Sequence, residues 1–513
     1  MHLGRARAAF CAGVDRVEEM IPRVRIGSQS SSSGYPGPFD GRFLLEPQQP
    51  LRPIRILIDA DLCMGEQDWS KRGLLSGLLT HELVRLYRFA HDGPPVSVPR
   101  LESPMPGEWV KGWAVLGQAH PEFQAQDLYW ADDGGQAHGA IAGNAPDAAA
   151  CDEGAEAYGD LETEEAAQRR RDDATAAQVA EAIQADVFIT DRPYLYALTW
   201  SLAPNVTFLS SDAALPFLSL YFRTQWQFLI WKGQTGRATV TRGLFYEIGT
   251  VASLPAVWRW STACAQHDRF RGAGQLAYLS QAATKRVGRA LELRDHVHRA
   301  MNRPQHNDVA DDALLAFDSA ILFLMGALDA VARVAHATLG LSGSAHSAGW
   351  QRKDWRKRVA KESPELATLV APGSRGGAVV EILTAMRNTV HSAGLSSVGA
   401  STTRTERQRT LIDLTSGLSG DDLHDVLAAM DVLDGRDAWC IEALVPGRFY
   451  VDPGHLLEQV VVPTLGLLDG LMARTPVERL PGVALSEADC RPPEGRGAFD
   501  ERHRESVLWQ LGL

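Results

Sequence analysis

Two apolar runs that each end in acid constrain this chain more than any other feature. One is Ile54-Arg55-Ile56-Leu57-Ile58-Asp59, and the other is Asp186-Val187-Phe188-Ile189-Thr190-Asp191. Short runs of this kind predict strands buried on both faces, as in a parallel sheet. A helical pattern over 174–185 leads into the second run, and a further strand is predicted at 206–209. Helix–strand alternation implies parallel pairing and an α/β fold. In an open parallel sheet the carboxyl ends of the strands line one crevice, where ligands bind. Carboxylates gathered there repel one another and stay ionised most easily around a cation.

The rest of the chain divides by pattern. Residues 28–41 are rich in Ser, Gly and Pro and read as linker, after one helical stretch. Leu74, Leu75, Leu78, Leu79, Leu83, Val84 and Leu86 predict a helix over 71–90. Residues 93–130 carry many Pro, Gly and Trp and give no assignment. Residues 131–168 are dominated by Ala, Gly, Asp and Glu, too polar to offset their ordering entropy, and predict a mobile insertion. An aromatic-rich helix is expected over 215–231, then helices over 310–341, 379–391 and 456–472, and a charged loop over 476–504. The division that follows is an extension (1–49), an α/β domain (50–232), a bridging region (233–305), a helical domain (306–475) and a tail (476–513).

With 513 residues the chain has room for two to four domains. Its formal charge of −12 argues against a generally basic nucleic-acid coat but leaves room for a local basic groove. The six cysteines form no CxxC pair and no zinc-finger spacing, which suits a reduced compartment. The first residues meet Asp15, Glu18 and Glu19 too soon for a signal peptide. The longest apolar helical pattern, 320–332, is too short to span a bilayer and contains Asp329. The expectation is a cytoplasmic protein with no membrane partner.

Asp173-Ala174-Thr175-Ala176-Ala177, followed by the strand ending Thr190-Asp191, resembles the PIN-domain nucleases. Residues 56–59 resemble that family's first strand and 206–210 its last core strand, so the resemblance spans about 50–225. It implies a PIN-like parallel sheet flanked by helices and a Mg²⁺- or Mn²⁺-dependent nuclease, most often acting on RNA. Carried over, Asp59, Asp173 and Asp191 would hold the metal. Glu82, on the helix after the first strand, would be a ligand or the base that orients water. Asp61 is a reserve candidate, and Asp172 competes with Asp173. Hard divalent cations prefer oxygen ligands, and a bound cation acidifies its water and offsets phosphate charge. The residues alone leave other roles open: an Asp at a strand end also caps the next helix, and Glu82 also suits a solvated helix face.

Met386-Arg387-Asn388-Thr389-Val390-His391 places Arg387 and His391 four apart on one helix face. This resembles the Arg-Asn…His motif of HEPN domains, all-helical modules of prokaryotic defence and toxin–antitoxin proteins, although the spacing here is shorter than in their ribonuclease members. The resemblance implies an all-α HEPN-like domain, a metal-independent RNase chemistry at Arg387 and His391, and a homodimer. The plainer alternative is two C-terminal helix residues bonding the last carbonyls ahead of Gly394.

Arg352, Lys353, Arg356 and Lys357 interleave with Trp350 and Trp355, a pattern that suits RNA binding or a solvated helix anchored by its tryptophans. The basic stretch 285–303 reads as a salt-bridged helix, and 373–377 as a turn. No Walker loop, GxSxG elbow or GxGxxG occurs. The leading expectation is a metal-dependent endoribonuclease. The alternatives are a non-catalytic nucleic-acid- or partner-binding regulator, and an RNase working through Arg387 and His391.

Overall fold

The computed structural model describes residues 44–45, 53–59, 62, 69–90, 110–120, 125–131, 137–142, 158–159, 161–195, 203, 206–232, 236–303, 305–392, 394–400, 409–492 and 497–513. The expected N-terminal helix, the 28–41 linker and Asp61 lie outside the described residues.

Strand β1 (Ile54–Asp59) is buried except at Arg55, which is half-buried. Ile54, Ile56 and Ile58 face one side and Leu57 the other, and both sides are covered, so the run shows no polar alternation. The remaining strands of its sheet are β2 (Val84–Ala90), β3 (Val110–His120), β4 (Ala125–Ala131), β5 (Ala137–Ala142), β6 (Val187–Ile189) and β7 (Thr207–Leu209). Their order is β5-β4-β3-β2-β1-β6-β7. β3, β2, β1, β6 and β7 run parallel, and β4 and β5 extend the sheet antiparallel. Asp186 fixes β6 to β1: its carboxylate accepts the Arg55 N–H at 2.8 Å, and its own N–H donates to the Arg55 carbonyl at 2.8 Å.

Helices α1 (Lys71–Leu79) and α3 (Ser211–Thr224) cover the Ile56 face. Helix α2 (Thr163–Ala182) covers the Leu57 face with Ala176, Ala177, Val179 and Ala180. An α/β fold is thus present, with several local corrections. The helix expected over 71–90 stops at Leu79, and residues 84–90 are strand β2. Leu83 and Leu86 fit a helical repeat, but Val84, Tyr87 and Phe89 are strand formers and find a pleated, buried surface. The helix expected over 215–231 divides into α3 and strand β8 (Leu229–Lys232), which pairs with β9 (Gly236–Thr239). The stretches read as unassigned or mobile hold β3, β4, β5 and the first turns of α2.

From Thr241 onward the chain is mainly helical: α4 (Arg242–Ser253), α5 (Val257–Arg271), α6 (Gln275–Met301), α7 (Asn307–Thr338), α8 (Lys353–Glu362), α9 (Pro364–Leu369), α10 (Arg375–His391), α11 (Leu414–Gly417), α12 (Gly420–Leu433), α13 (Pro453–Arg474) and α14 (Glu501–Leu511). A small sheet, β10 (Ser396–Ala400), β11 (Arg409–Asp413) and β12 (Tyr450–Val451), sits among them. One apolar core runs from Phe228 to Leu511, so the bridging residues 233–305 pack as part of the helical body. The expected loop over 476–504 leads into α14, which packs against α3, α4 and β8. There the Trp69 indole donates to Glu505 at 2.5 Å. Asn307–Thr338 and Pro453–Arg479 are long and apolar enough to cross a bilayer by length and composition, beyond what 320–332 suggested; here they supply core helices.

Candidate functional site

The carboxyl end of β1 presents Asp59, and the carboxyl end of β6 presents Thr190 beside it. Thr190 Oγ1 donates to Asp59 Oδ2 at 2.5 Å. Across the crevice, α2 turns Asp173 inward from the Leu57 face, where only 2% of the residue is exposed. Residues 114 positions apart in sequence (173 − 59) are thus brought to one place. Asp172 accepts from Gln168 at 2.9 Å on the exposed side of the helix, so of the two acids it is Asp173 that faces the crevice.

The group between the two acids is Arg192. Its Nε donates to Asp59 Oδ2 at 3.1 Å and its Nη1 to Asp173 Oδ1 at 2.7 Å. The guanidinium lies over the Phe89 ring, 5.4 Å from its centroid, and Phe89 is the register partner of Asp59 on β2. Tyr158 closes the other side, donating from its hydroxyl to Asp173 Oδ2 at 2.6 Å. Burial pushes the Asp173 carboxyl above the usual range, against the pull of Tyr158 and Arg192. Burial, then the bond to Asp173, pushes the Tyr158 phenol up. Arg192 loses by burial but gains more from Asp59 and Asp173, so it stays firmly charged.

The other expected members are elsewhere. Asp191 is exposed and caps α3, accepting Ser211 N–H at 3.0 Å and Ser211 Oγ at 3.2 Å. Glu82 is not on a helix: it is exposed in the turn between α1 and β2. β2 runs parallel to β1 with Phe89 beside Asp59, so Glu82 lies at the opposite end of the sheet, about 20 Å of extended chain away. Its charge acts on Arg237 instead. Among the described residues, no three His, Cys, Asp or Glu side chains converge. The donor set does not fit a Mg²⁺ or Mn²⁺ ion: both oxygens of Asp173 and Oδ2 of Asp59 already accept protons from Arg192, Tyr158 and Thr190. A divalent cation would have to displace the guanidinium.

Arg192 follows Thr190-Asp191 directly, so a cation next to the acid was there to be read. Tyr158 gave a weaker signal, as the single aromatic in 131–168. In the helical body, Arg387 and His391 sit on the last turns of α10. His391 is exposed, and the Arg387 guanidinium donates from Nη2 to Asn388 Oδ1 at 3.1 Å. Trp350 and Trp355 are buried and meet edge to face at 4.8 Å, which anchors α8 in the core. Arg352 and Lys353 are exposed, Lys357 pairs with Asp354 at 3.6 Å, and Arg356 donates to the Val370 carbonyl at 2.9 Å. The basic stretch 285–303 is salt-bridged in part, through Arg289–Glu292 at 2.6 Å and Arg303–Asp312 at 3.2 Å.

No family model matches this chain, and neither the curated proteins nor the solved structures give a match to it.

Proposed function

We propose that this protein is an RNA-binding regulator, built on a PIN-like α/β frame and a HEPN-like helical body, whose acidic crevice is closed by its own arginine. The observation that carries this reading is the Arg192 guanidinium at 3.1 Å from Asp59 and 2.7 Å from Asp173, where a metal-dependent nuclease would need a cation. An arginine neutralises the acids but lacks what hydrolysis requires: it brings no bound water to be acidified and no open ligand position. The parallel order β3-β2-β1-β6-β7, with acids at the carboxyl ends, supports the PIN-like frame.

The test is incubation of the full chain with labelled single-stranded RNA, with Mg²⁺, with Mn²⁺ and with EDTA. The expected result is RNA retained and uncut in all three. A second reading, a metal-dependent endoribonuclease, is favoured by the convergence of Asp59 and Asp173. Mn²⁺-dependent cutting that disappears in Asp59→Asn would establish it in place of the first. Cutting that survives EDTA and disappears in His391→Ala would move the activity to the helical body, with the homodimer that such a site needs.

A further inference from the structure

The turn that ends α3 suits a glycine and holds a tryptophan. Trp226 has φ +60°, in the left-handed region that side chains rarely adopt. Its N–H donates to the Arg223 carbonyl at 3.1 Å, and the Gln227 N–H donates to the Phe222 carbonyl at 2.8 Å. That pair of bonds is the helix stop in which glycine ordinarily takes the left-handed position. The indole gains no shelter in exchange. Trp226 is 61% exposed and meets Phe228 only edge to face, at 6.4 Å, whereas Phe228 itself is buried. A large aromatic on a strained backbone, facing water, is unfavourable for folding on both counts.

Two guanidiniums stand beside the ring. Arg242, at the start of α4, lies over the indole with its guanidinium 5.4 Å from the ring centroid. Its Nη1 is 3.2 Å from Glu292 Oε1, and Arg289 Nη1 donates to Glu292 Oε2 at 2.6 Å. Glu292 is buried, while the side chains of Arg242 and Arg289 are 44% and 58% exposed. One sheltered carboxylate thus uses both oxygens to orient two accessible arginines, and the group keeps one net positive charge. Each guanidinium has five N–H donors, and Glu292 takes a minority of them, so donors remain for an oxyanion. An exposed aromatic with oriented cations at its edge is the pairing that binds a base and its phosphate. The spacing suits one nucleotide unit: a base on the indole has its phosphate one sugar away, where Arg242 stands, and Glu292 ties Arg289 to the same place.

We propose that Trp226, Arg242 and Arg289 form a nucleotide-binding surface, on which the indole stacks against a base of single-stranded RNA and the two guanidiniums donate to its phosphates. Recognition of base and phosphate is independent of the acidic crevice; the assignment to RNA, as opposed to a free nucleotide, rests on the function proposed above. The strained turn holds the ring out from the surface, and Glu292 holds the guanidiniums next to it.

The test is binding of adenosine monophosphate, ribose 5-phosphate and a labelled single-stranded oligoribonucleotide to the full chain, followed by thermal shift and fluorescence anisotropy. The wild type is expected to bind the mononucleotide more tightly than the sugar phosphate, and to lose affinity for the oligomer as salt rises. Trp226→Gly should melt no lower than the wild type, because glycine suits the turn, yet bind the mononucleotide and the oligomer about tenfold more weakly. Trp226→Phe should restore part of the binding. Arg289→Ala should weaken the oligomer and flatten its salt dependence. Tyr278 of α6, 71% exposed, serves as the control aromatic, and Tyr278→Ala should change nothing. Binding of the mononucleotide but not the oligomer would keep the site and remove the RNA assignment. Oligomer binding that Trp226→Gly leaves at wild-type strength would overturn the site and keep the proposed function. Binding of neither by the wild type would overturn both.

Discussion

Arg294 Nε lies 2.6 Å from Glu458 Oε1, and both side chains are closed off from water. The approach is close without the alignment of a hydrogen bond, since Arg294 Nε finds no acceptor. Bonds come from elsewhere: Arg294 Nη2 donates to the Leu511 carbonyl, and His298 Nε2 meets the same Glu458 oxygen at 2.5 Å. The group fastens α6, α13 and α14 together. Beside it, Asp295 takes Arg223 of α3 at 2.6 Å and the Tyr246 hydroxyl at 2.7 Å, so the charge network reaches from the sheet helices into the helical body.

Breaking such a buried pair on one side leaves an uncompensated charge. Arg294→Met should cost about 3–5 kcal/mol in urea unfolding. Arg223→Met should cost a similar amount, because it strands Asp295. A loss below about 1 kcal/mol in both would show that the network is solvated or replaceable.

The two ends of the pH range should act on different acids. Burial opposes ionisation of Glu458, but Arg294 and His298 overcome it and hold the carboxyl below its ordinary 4.5. A lowered folded value means stability present above pH 4.5 and lost as pH falls through the lower value. Asp318 of α7 works the other way: burial pushes it up to about 6 from 3.8. Its contribution is complete below 3.8 and is lost as pH rises through about 6. Stability should therefore peak between about 3.8 and 4.5 as far as these two groups decide it, and decline from there to about 6. Asp318→Asn should add about 1 kcal/mol at pH 8, discounted for its partial exposure, and nothing at pH 3. Equal gains at both pH values would rule out titration of Asp318 as the cause.

Arg192→Ala should destabilise the fold by about 3 kcal/mol, since Asp59 and Asp173 then face each other without a counter-ion. The same change should create a response to Mn²⁺. A melting temperature that rises with Mn²⁺ in the variant and stays level in the wild type is the expected pair of curves. Equal rises in both would mean that the ion binds without displacing the guanidinium.

Gly77 of α1 packs against the Trp231 ring of β8, and a Cβ there would stand inside the indole. Gly77→Ala should therefore cost about 1–3 kcal/mol despite its better helix propensity. Gly77→Ala combined with Trp231→Leu should recover part of the loss in a double-mutant cycle. Strict additivity would deny the contact.

The sequence made the two acid-ended strands legible because both faces of β1 and β6 are buried, and continuous apolar runs have few other uses. It also placed Asp59 and Asp173 at one crevice. It misplaced Glu82, since leucines at 74, 75, 78, 79, 83 and 86 satisfy a helical period whether or not the chain turns at Thr80. Asp191 carried two compatible roles, and the free N–H groups of α3 took it as a cap. Tyr158 lay in a polar stretch whose composition argues against order, yet one buried phenol bond to Asp173 holds it. The influence of Arg387 on Asp329 has no local signature, because Asp329 is 58 residues away on another helix (387 − 329).

Asp173 sits midway along α2, a 20-residue helix whose later residues lie flat on the sheet. Arg192 therefore acts as a pin through the middle of a beam. Withdrawing the pin would leave the trailing turns bedded on Leu57 and Phe188 while the leading turns could tilt, so a change of charge between two carboxylates would be read at the surface as a movement of Thr163.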